Sequence, residues 1–524
     1  MSERIFSNIK SAWLFLIVAA FFGAACRSPQ KTEVRKLVPA DTLVYLETNN
    51  VAAALESLAA SPAFQTLAAD KVDFSAFENV QTAIAVTGFE TSEEDAVLSL
   101  KPQFVAVAET HAWSWQTVSL VENQLDRLIR KTYGETAKRE ASDKNGGRFF
   151  TWTASDNRRV FAFVRESLIY FGSDAAAIEK CLAVKSGAAE SLAQNEFFNR
   201  VYSGENLTFG YVSNDGVKKI AALAGISLAV GASEESNERS FIAQTVPQIL
   251  QNTTQEIIWT ANRTEGGIED KYSVVLTGEN ASALRETLDS DPDSPSDFKD
   301  YLPSDIFSTT RYNLQNPLDA WRGSLALTAK NTDAWRRKIL IGFSGKMLES
   351  YGISDAETFL SAVNAPLTTA LFDAEGTKSI TIAAVGDADK LKSSISRTID
   401  FKKPPEKISN AEVWFSDDRN LAAAFVESRL ILGDGESVLK CLRAKPNEHN
   451  PAFQRFVESR TVAATFGTDI DSAEKIVGLL ANAKSADRKL ATFYTTETRL
   501  TESGFERVTI SDFGLIGAIL KNLN

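Results

Sequence analysis

Short sequence signatures occur twice in this chain, in the same order, and this repetition constrains the fold more than any other feature. Glu166-Ser-Leu-Ile-Tyr-Phe-Gly172 is matched by Glu427-Ser-Arg-Leu-Ile-Leu-Gly433, and a Lys-Cys-Leu sequence follows each, at 180–182 and 440–442. Further matches pair Phe198–Val201 with Phe453–Phe456, Asn206–Val212 with Thr461–Phe466, Thr264–Glu269 with Thr501–Glu506, and Val38–Asp41 with Leu302–Asp305. Because chance rarely preserves such an order, the sequence predicts an ancient internal duplication.

Within each half, segments that alternate with period two are interspersed with helical ones. The apolar segments 160–164 and 168–171 are separated by three residues, a spacing that permits only antiparallel neighbours. The predicted fold class is therefore α+β: two tandem copies of an antiparallel sheet, with helices packed on one face of each sheet.

Domain boundaries follow from composition. The segment Asp289–Asp300 is rich in Pro, Ser and Asp, as solvated linkers are. The predicted division is a signal peptide at 1–25, a lipid-anchored tether at 26–37, a first α+β repeat at 38–288, the acidic linker at 289–300, and a second repeat at 301–524 with a helical insert at about 317–363.

The N-terminus has the three-part layout of a secretory signal. Arg4 and Lys10 supply positive charge, and an apolar run at 12–22 leads to Gly23-Ala-Ala before Cys26. That run is shorter than the roughly 20 residues of a membrane-spanning helix.

The ending of small residues before Cys26 resembles the lipobox of bacterial lipoproteins, in which the Cys becomes the first mature residue and carries a thioether-linked diacylglycerol. Gly23 departs from the pattern, since Leu is usual there. Two alternatives stay open: ordinary signal-peptidase cleavage that leaves a free secreted protein, or an incidental Cys26.

Three motifs of the body resemble a bacterial envelope family known only as a domain of unknown function. The first motif begins the body and combines Pro39-Ala-Asp-Thr with Tyr45-Leu-Glu47. The second is the Glu-Ser…Gly strand with the helix that follows it, and the third is the Phe-x-x-x sequence that leads into the next strand. The resemblance covers nearly all of 37–524 and implies no particular activity.

Charge and motif content argue against several function classes. Lys and Arg total 56 against 68 Asp and Glu, a net charge of -12, which disfavours nucleic acid as a partner. His111 and His449 occupy non-equivalent places without a triad or a nucleophile elbow, so we interpret them as surface or turn residues. Gly342-Phe-Ser-Gly-Lys346 lacks the hydroxyl and spacing of a phosphate loop. We therefore predict no catalytic residue and no cofactor.

The linker contains one weak metal candidate. Its acidic residues fall at positions that resemble a calcium loop, where carboxylate oxygens converge on the ion: Asp289, Asp291, Asp293, Asp297 and Asp300. Ser294 stands where a calcium loop has its turn glycine. A linker rich in Asp, Ser and Pro would also have acidic residues at these positions by composition alone.

Cysteine and tryptophan admit structural and functional interpretations. Cys181 and Cys441 sit at matching places, where a buried packing role competes with a disulfide between the copies. The tryptophans of the body either pack in the core or line a ligand cleft: Trp113, Trp115, Trp152, Trp259, Trp321, Trp335 and Trp414.

These observations together predict a non-enzymatic envelope protein that is exported, anchored by a lipid and engaged in binding or scaffolding. The outer membrane or the periplasmic face is the favoured location, with the membrane as the one defined partner. One alternative is a periplasmic carrier for an apolar ligand. Another is an envelope hydrolase that uses carboxylates alone.

Overall fold

The computed structural model describes residues 32–68, 70–94, 97–232, 236–290, 297–344, 348, 351–444, 450–481 and 490–521. The predicted signal peptide and Cys26 lie outside these residues. No helix in the described part is long and apolar enough to cross a membrane.

Twenty β-strands form the framework of the described part of the chain. They are β1 Val44–Thr48, β2 Gln81–Glu94, β3 Val97–Glu109, β4 Lys138–Lys144, β5 Gly147–Thr153, β6 Arg159–Arg165, β7 Leu168–Gly172, β8 Thr208–Val212, β9 Thr254–Thr264, β10 Gly267–Leu276, β11 Ser308–Tyr312, β12 Val363–Leu371, β13 Ser379–Val385, β14 Glu406–Ile408, β15 Ala411–Phe415, β16 Leu421–Val426, β17 Arg429–Asp434, β18 Ala463–Asp469, β19 Thr492–Thr501 and β20 Gly504–Ser511. All their pairings are antiparallel, so the α+β class is confirmed.

Helices connect these strands. The α-helices are Val51–Ala59, Pro62–Leu67, Ser114–Leu120, Asp126–Tyr133, Ala175–Lys185, Glu196–Val201, Asn214–Ala232, Ser236–Thr253, Gly278–Thr287, Pro317–Lys330, Ala334–Ser344, Ala356–Leu360, Ala388–Ile395, Gly435–Cys441, Pro451–Glu458, Ser472–Ala481 and Gly514–Lys521. A π-helical segment, Val121–Leu125, joins the third to the fourth, and short 3-10 helices lie at Val34–Leu37, Ser75–Phe77, Leu192–Gln194 and Asp297–Tyr301.

The strands form one continuous sheet, whereas the sequence predicted two separate ones. The order across the first half is β4-β5-β6-β7-β3-β2-β1-β8-β9-β10. Strand β10 then pairs with β20, and the second half runs β20-β19-β18-β11-β12-β13-β17-β16-β15-β14. The two halves therefore have the same strand order. Pairing β10 with β20 satisfies backbone groups that two separate sheets would leave at exposed edges.

The register of the β10–β20 junction is symmetric. Ile268 directly follows the turn glycine Gly267, and Phe505 directly follows the turn glycine Gly504. Ile268 lies opposite Ser511, and Phe505 lies opposite Val274, so each partner is the seventh residue after its own glycine. A two-fold axis between identical edges would give this arrangement.

Local contacts also repeat between the halves. The Lys180 ammonium donates to the Asp41 carboxylate at 3.0 Å, and Lys440 makes the same contact with Asp305. These lysines belong to the two Lys-Cys-Leu sequences, and the aspartates belong to the two Pro-x-Asp sequences. The repeated motifs thus join the same two elements in each half.

Helices cover both faces of the sheet, so the prediction of one covered face is wrong. In β3, Ala106 packs in a cluster with Leu120, while Val105, which points the other way, packs with Ile178. The second half likewise has a core on each face. The physical reason is that central strands are apolar on both sides; all five residues of Leu168–Gly172 are buried.

Candidate functional site

An apolar cavity lies between strands of the first half and the C-terminal helix of the second half. Strands β1, β2, β8 and β9 contribute to its walls, together with helix Val51–Ala59 and the C-terminal helix Gly514–Lys521. Its volume is about 60 Å³. The main apolar side chains that line it are Leu46, Val51, Leu55, Ile84, Trp259, Ile516, Ile519 and Leu520.

The walls of the cavity belong to a hydrophobic core that both halves share. Leu55 and Trp259 of the first half pack in one cluster with Ile476, Phe513 and Leu520 of the second. The halves are therefore joined by buried apolar side chains as well as by the β10–β20 ladder.

The last helix of each half packs on strands of the other half. Helix Gly278–Thr287 contacts β19 and β20, and helix Gly514–Lys521 contacts β10. The first of these helices also packs closely on helix Pro317–Lys330. A Cβ atom added at Gly323 would lie 2.2 Å from Thr287 Cγ2, and the Asn331 amide donates to Asn280 Oδ1 at 3.0 Å.

The corresponding positions of the C-terminal helix carry apolar side chains. Counted from the glycine that begins each helix, Asn280 corresponds to Ile516, and Ala283 corresponds to Ile519. Both isoleucines line the cavity. Asn280 thus makes a polar contact at a position where the C-terminal helix has an isoleucine that lines the cavity.

Asp270 positions two walls of the cavity. The Trp259 indole N–H donates to Asp270 Oδ1 at 2.9 Å, and the backbone N–H of Leu515 donates to Oδ2 at 2.7 Å. Burial raises the pKa of this carboxyl to about 6 despite both donors. The side chain thereby connects the tryptophan to the start of the C-terminal helix.

Replacing Asp270 with asparagine is expected to remove a pH dependence of stability. The folded pKa of about 6 exceeds the ordinary 3.8, so the folded state holds this proton more tightly than the unfolded state. This tighter proton binding stabilises the folded state by about 3 kcal/mol. The stabilisation is fully present below pH ~4 and is lost as pH rises through about 6. Urea unfolding of both proteins from pH 4 to 7 measures it. A constant difference between the two over that range would contradict the assignment.

Two more buried acids lie near the junction, each bound to tyrosine. Glu47, at the cavity wall, accepts from the Tyr45 hydroxyl at 2.7 Å and from the Tyr202 hydroxyl at 2.9 Å. Glu256 accepts from Tyr211 at 3.1 Å, and burial raises its pKa to about 7. The sequence reasoning missed all three acids, although Tyr45 and Glu47 at spacing two on one strand are a local signal of a shared face.

Neither His111 nor the acidic residues of the linker form a metal site within the described residues. His111 lies in the loop after β3, with Nδ1 3.8 Å from a Glu109 carboxylate oxygen. His449, Asp291 and Asp293 lie outside the described residues. Where the chain is described, no group of three or more His, Cys, Asp or Glu could hold a metal ion. The calcium loop of Asp289, Asp297 and Asp300 with the two undescribed aspartates stays a prediction.

The two matched cysteines are free thiols that serve as packing residues. Cys181 and Cys441 are 0% and 1% exposed and lie in different core clusters. Burial raises the pKa of each thiol to about 12, which suppresses the reactive thiolate. No disulfide links the two halves through them.

The tryptophans divide between core and surface. Trp152, Trp259 and Trp414 are buried, and Trp321 packs half-buried against a core cluster. Of the buried ones, Trp259 lines the cavity. The remaining three are exposed: Trp113, Trp115 and Trp335.

Comparisons with known proteins assign no family. No protein-family model and no curated protein matches the chain. Two solved structures, crystal forms I and IV of TP0453, are 10% identical to it and cover 45% and 46% of this chain and 98% and 99% of their own. Their TM-scores of 0.20 and 0.21 are too low to support a statement about fold or function.

Proposed function

We propose that this protein is held at the cell envelope by a lipid on Cys26 and binds or scaffolds rather than catalyses. The sequence of the signal and the small residues before Cys26 support the anchor. The observation that carries the binding role is the apolar cavity beneath the C-terminal helix, which favours an apolar ligand among the alternatives.

We also infer that the body arose by duplication, so that two α+β repeats are fused through equivalent edges. The shared strand order, the symmetric register of β10 with β20 and the matched ion pairs Lys180–Asp41 and Lys440–Asp305 support this origin. The cavity then lies beneath the C-terminal helix, whose counterpart in the first half contacts Asn331 through Asn280.

The cavity limits the class of ligand. Sites for drug-sized molecules have volumes of roughly 300–1,000 Å³, several times larger than this cavity. A volume of about 60 Å³ admits a short piece of a thin, unbranched apolar chain, such as the end of a lipid acyl tail. Burial of each methylene contributes about 0.8 kcal/mol, so three buried methylenes supply about 2.4 of the roughly 8.2 kcal/mol that micromolar binding requires, and contacts with the head of the ligand would have to supply the rest.

The three buried acids give little support to the hydrolase alternative. Each is bound to its own tyrosine or tryptophan, and Glu47 is the one acid among the described residues that line the cavity. A pair of carboxylates that flank one reacting bond would have to lie across a common space.

Replacing Ile519 with tryptophan is expected to fill the cavity and weaken binding of a C18 fatty acid at least tenfold. Ile519 lies on the C-terminal helix with its side chain at the cavity wall. Titration of the full chain with cis-parinaric acid, whose fluorescence rises in apolar surroundings, measures the Kd.

Ile470→Trp is the matched control, since this isoleucine is 46% exposed and does not line the cavity. It should bind the fatty acid as the native protein does. Equal binding by the Ile519 and Ile470 variants, or no binding by the native chain, would contradict the carrier role and favour the scaffold.

A further inference from the structure

Two tryptophans are exposed at the end of the loop that follows strand β3: Trp113 is its last residue, and Trp115 lies in the first turn of helix Ser114–Leu120. Trp113 and Trp115 are 62% and 70% exposed, in contrast to the buried Trp152 and Trp414. Two large aromatic rings within three residues form an apolar patch in water, a feature that marks interaction sites.

Hydrogen bonds hold this loop in one conformation. The His111 backbone N–H donates to a Glu109 carboxylate oxygen at 2.9 Å, and His111 adopts a φ of 52°. The Trp113 backbone N–H donates to the Gln116 side chain at 3.0 Å, which caps helix Ser114–Leu120. The exposed rings are therefore presented by an ordered turn.

The described chain begins at the same place. The Thr32 backbone N–H donates to Gln81 Oε1 at 2.9 Å, and the Thr32 hydroxyl lies 3.4 Å from Glu109, its acceptor. Glu109 thus contacts both Thr32 and His111, and Trp113 follows His111 by only two residues. The six residues from Cys26 to Lys31 can span at most about 20 Å, so a lipid on Cys26 would place the bilayer within reach of this loop.

We propose that Trp113 and Trp115 insert into the interfacial zone of the lipid bilayer that carries the anchor, and so form a second membrane contact. This inference rests on the proposed lipidation of Cys26. Tryptophan is enriched at membrane–water interfaces because its ring is apolar while its N–H stays hydrated. The loop beside the tether would then fix which side of the body faces the membrane.

Quenching by bromolipid tests the contact. The full lipidated chain is reconstituted into phosphatidylethanolamine–phosphatidylglycerol vesicles whose acyl chains are brominated near the headgroup. Tryptophan fluorescence should fall relative to unbrominated vesicles, and Trp113→Phe/Trp115→Phe should remove most of that fall. Trp335→Phe, which replaces a 63% exposed tryptophan of the second half, should leave the quenching unchanged.

Flotation of the same vesicles separates this inference from the anchor. If the native protein floats but shows no quenching, or if quenching persists in the double variant, the tryptophan contact is wrong and the patch serves a protein partner. If the native protein does not float, the proposed anchoring fails, and the membrane contact fails with it.

Discussion

Replacing Phe198 with alanine is expected to lower the free energy of unfolding by about 3–5 kcal/mol, the usual cost of removing a buried phenylalanine ring. Phe198 is 0% exposed. Its ring centroid lies 5.4–5.5 Å from those of Tyr45, Tyr202, Phe209 and Tyr211. The variant leaves a cavity among four rings that strand and helix geometry hold in place. Urea unfolding followed by circular dichroism measures the loss.

The matched residue of the second half should behave in the same way. Phe453 is 2% exposed and packs against Phe456 and Phe466, with centroid distances of 5.8 and 5.4 Å. Phe453→Ala is therefore expected to cost a similar amount. Phe197→Ala is the control, since Phe197 precedes Phe198 but is half-buried and should cost clearly less. Costs at Phe198 and Phe453 no larger than at Phe197 would contradict equivalent core roles for the two.

Features that depend on local chemistry could be predicted from the sequence. The turn at Asp156-Asn157 lies between β5 and β6, where Asn157 takes a φ of 63° that asparagine tolerates. The turn before Gly267 likewise joins β9 to β10. Short spacing between apolar runs correctly indicated antiparallel neighbours.

Features that depend on distant segments could not be predicted in this way. The β10–β20 pairing joins strands more than 200 residues apart, and no local pattern specifies it. The cavity requires helix Val51–Ala59 and helix Gly514–Lys521, from opposite ends of the chain. The second covered face was missed for another reason: the continuous apolar run Leu168–Phe171 is a local signal of burial on both sides, and the prediction of one covered face did not use it.

Replacing Cys26 with alanine is expected to release the protein from the membrane almost completely. Lipidation needs the cysteine sulfur as the acceptor of the diacylglycerol, and alanine has none. Each buried methylene of an acyl chain contributes about 0.8 kcal/mol, and attachment becomes durable once two or more chains insert. Without the sulfur, only the weak contact of Trp113 and Trp115 would remain.

The control is Arg27→Ala, which changes the neighbouring residue and keeps the sulfur. It should stay with the membrane as the native protein does. Arg27→Ala also removes one positive charge, so it tests whether electrostatic attraction to anionic lipid contributes to attachment. Such attraction weakens as the salt concentration rises.

The fraction of protein that sediments with membranes after a high-salt wash tests the central claim most directly. The native chain and Arg27→Ala should remain in the pellet, and Cys26→Ala should appear in the supernatant. A Cys26→Ala protein that sediments like the native chain, or a native chain that is washed free, would contradict a lipid-anchored envelope protein.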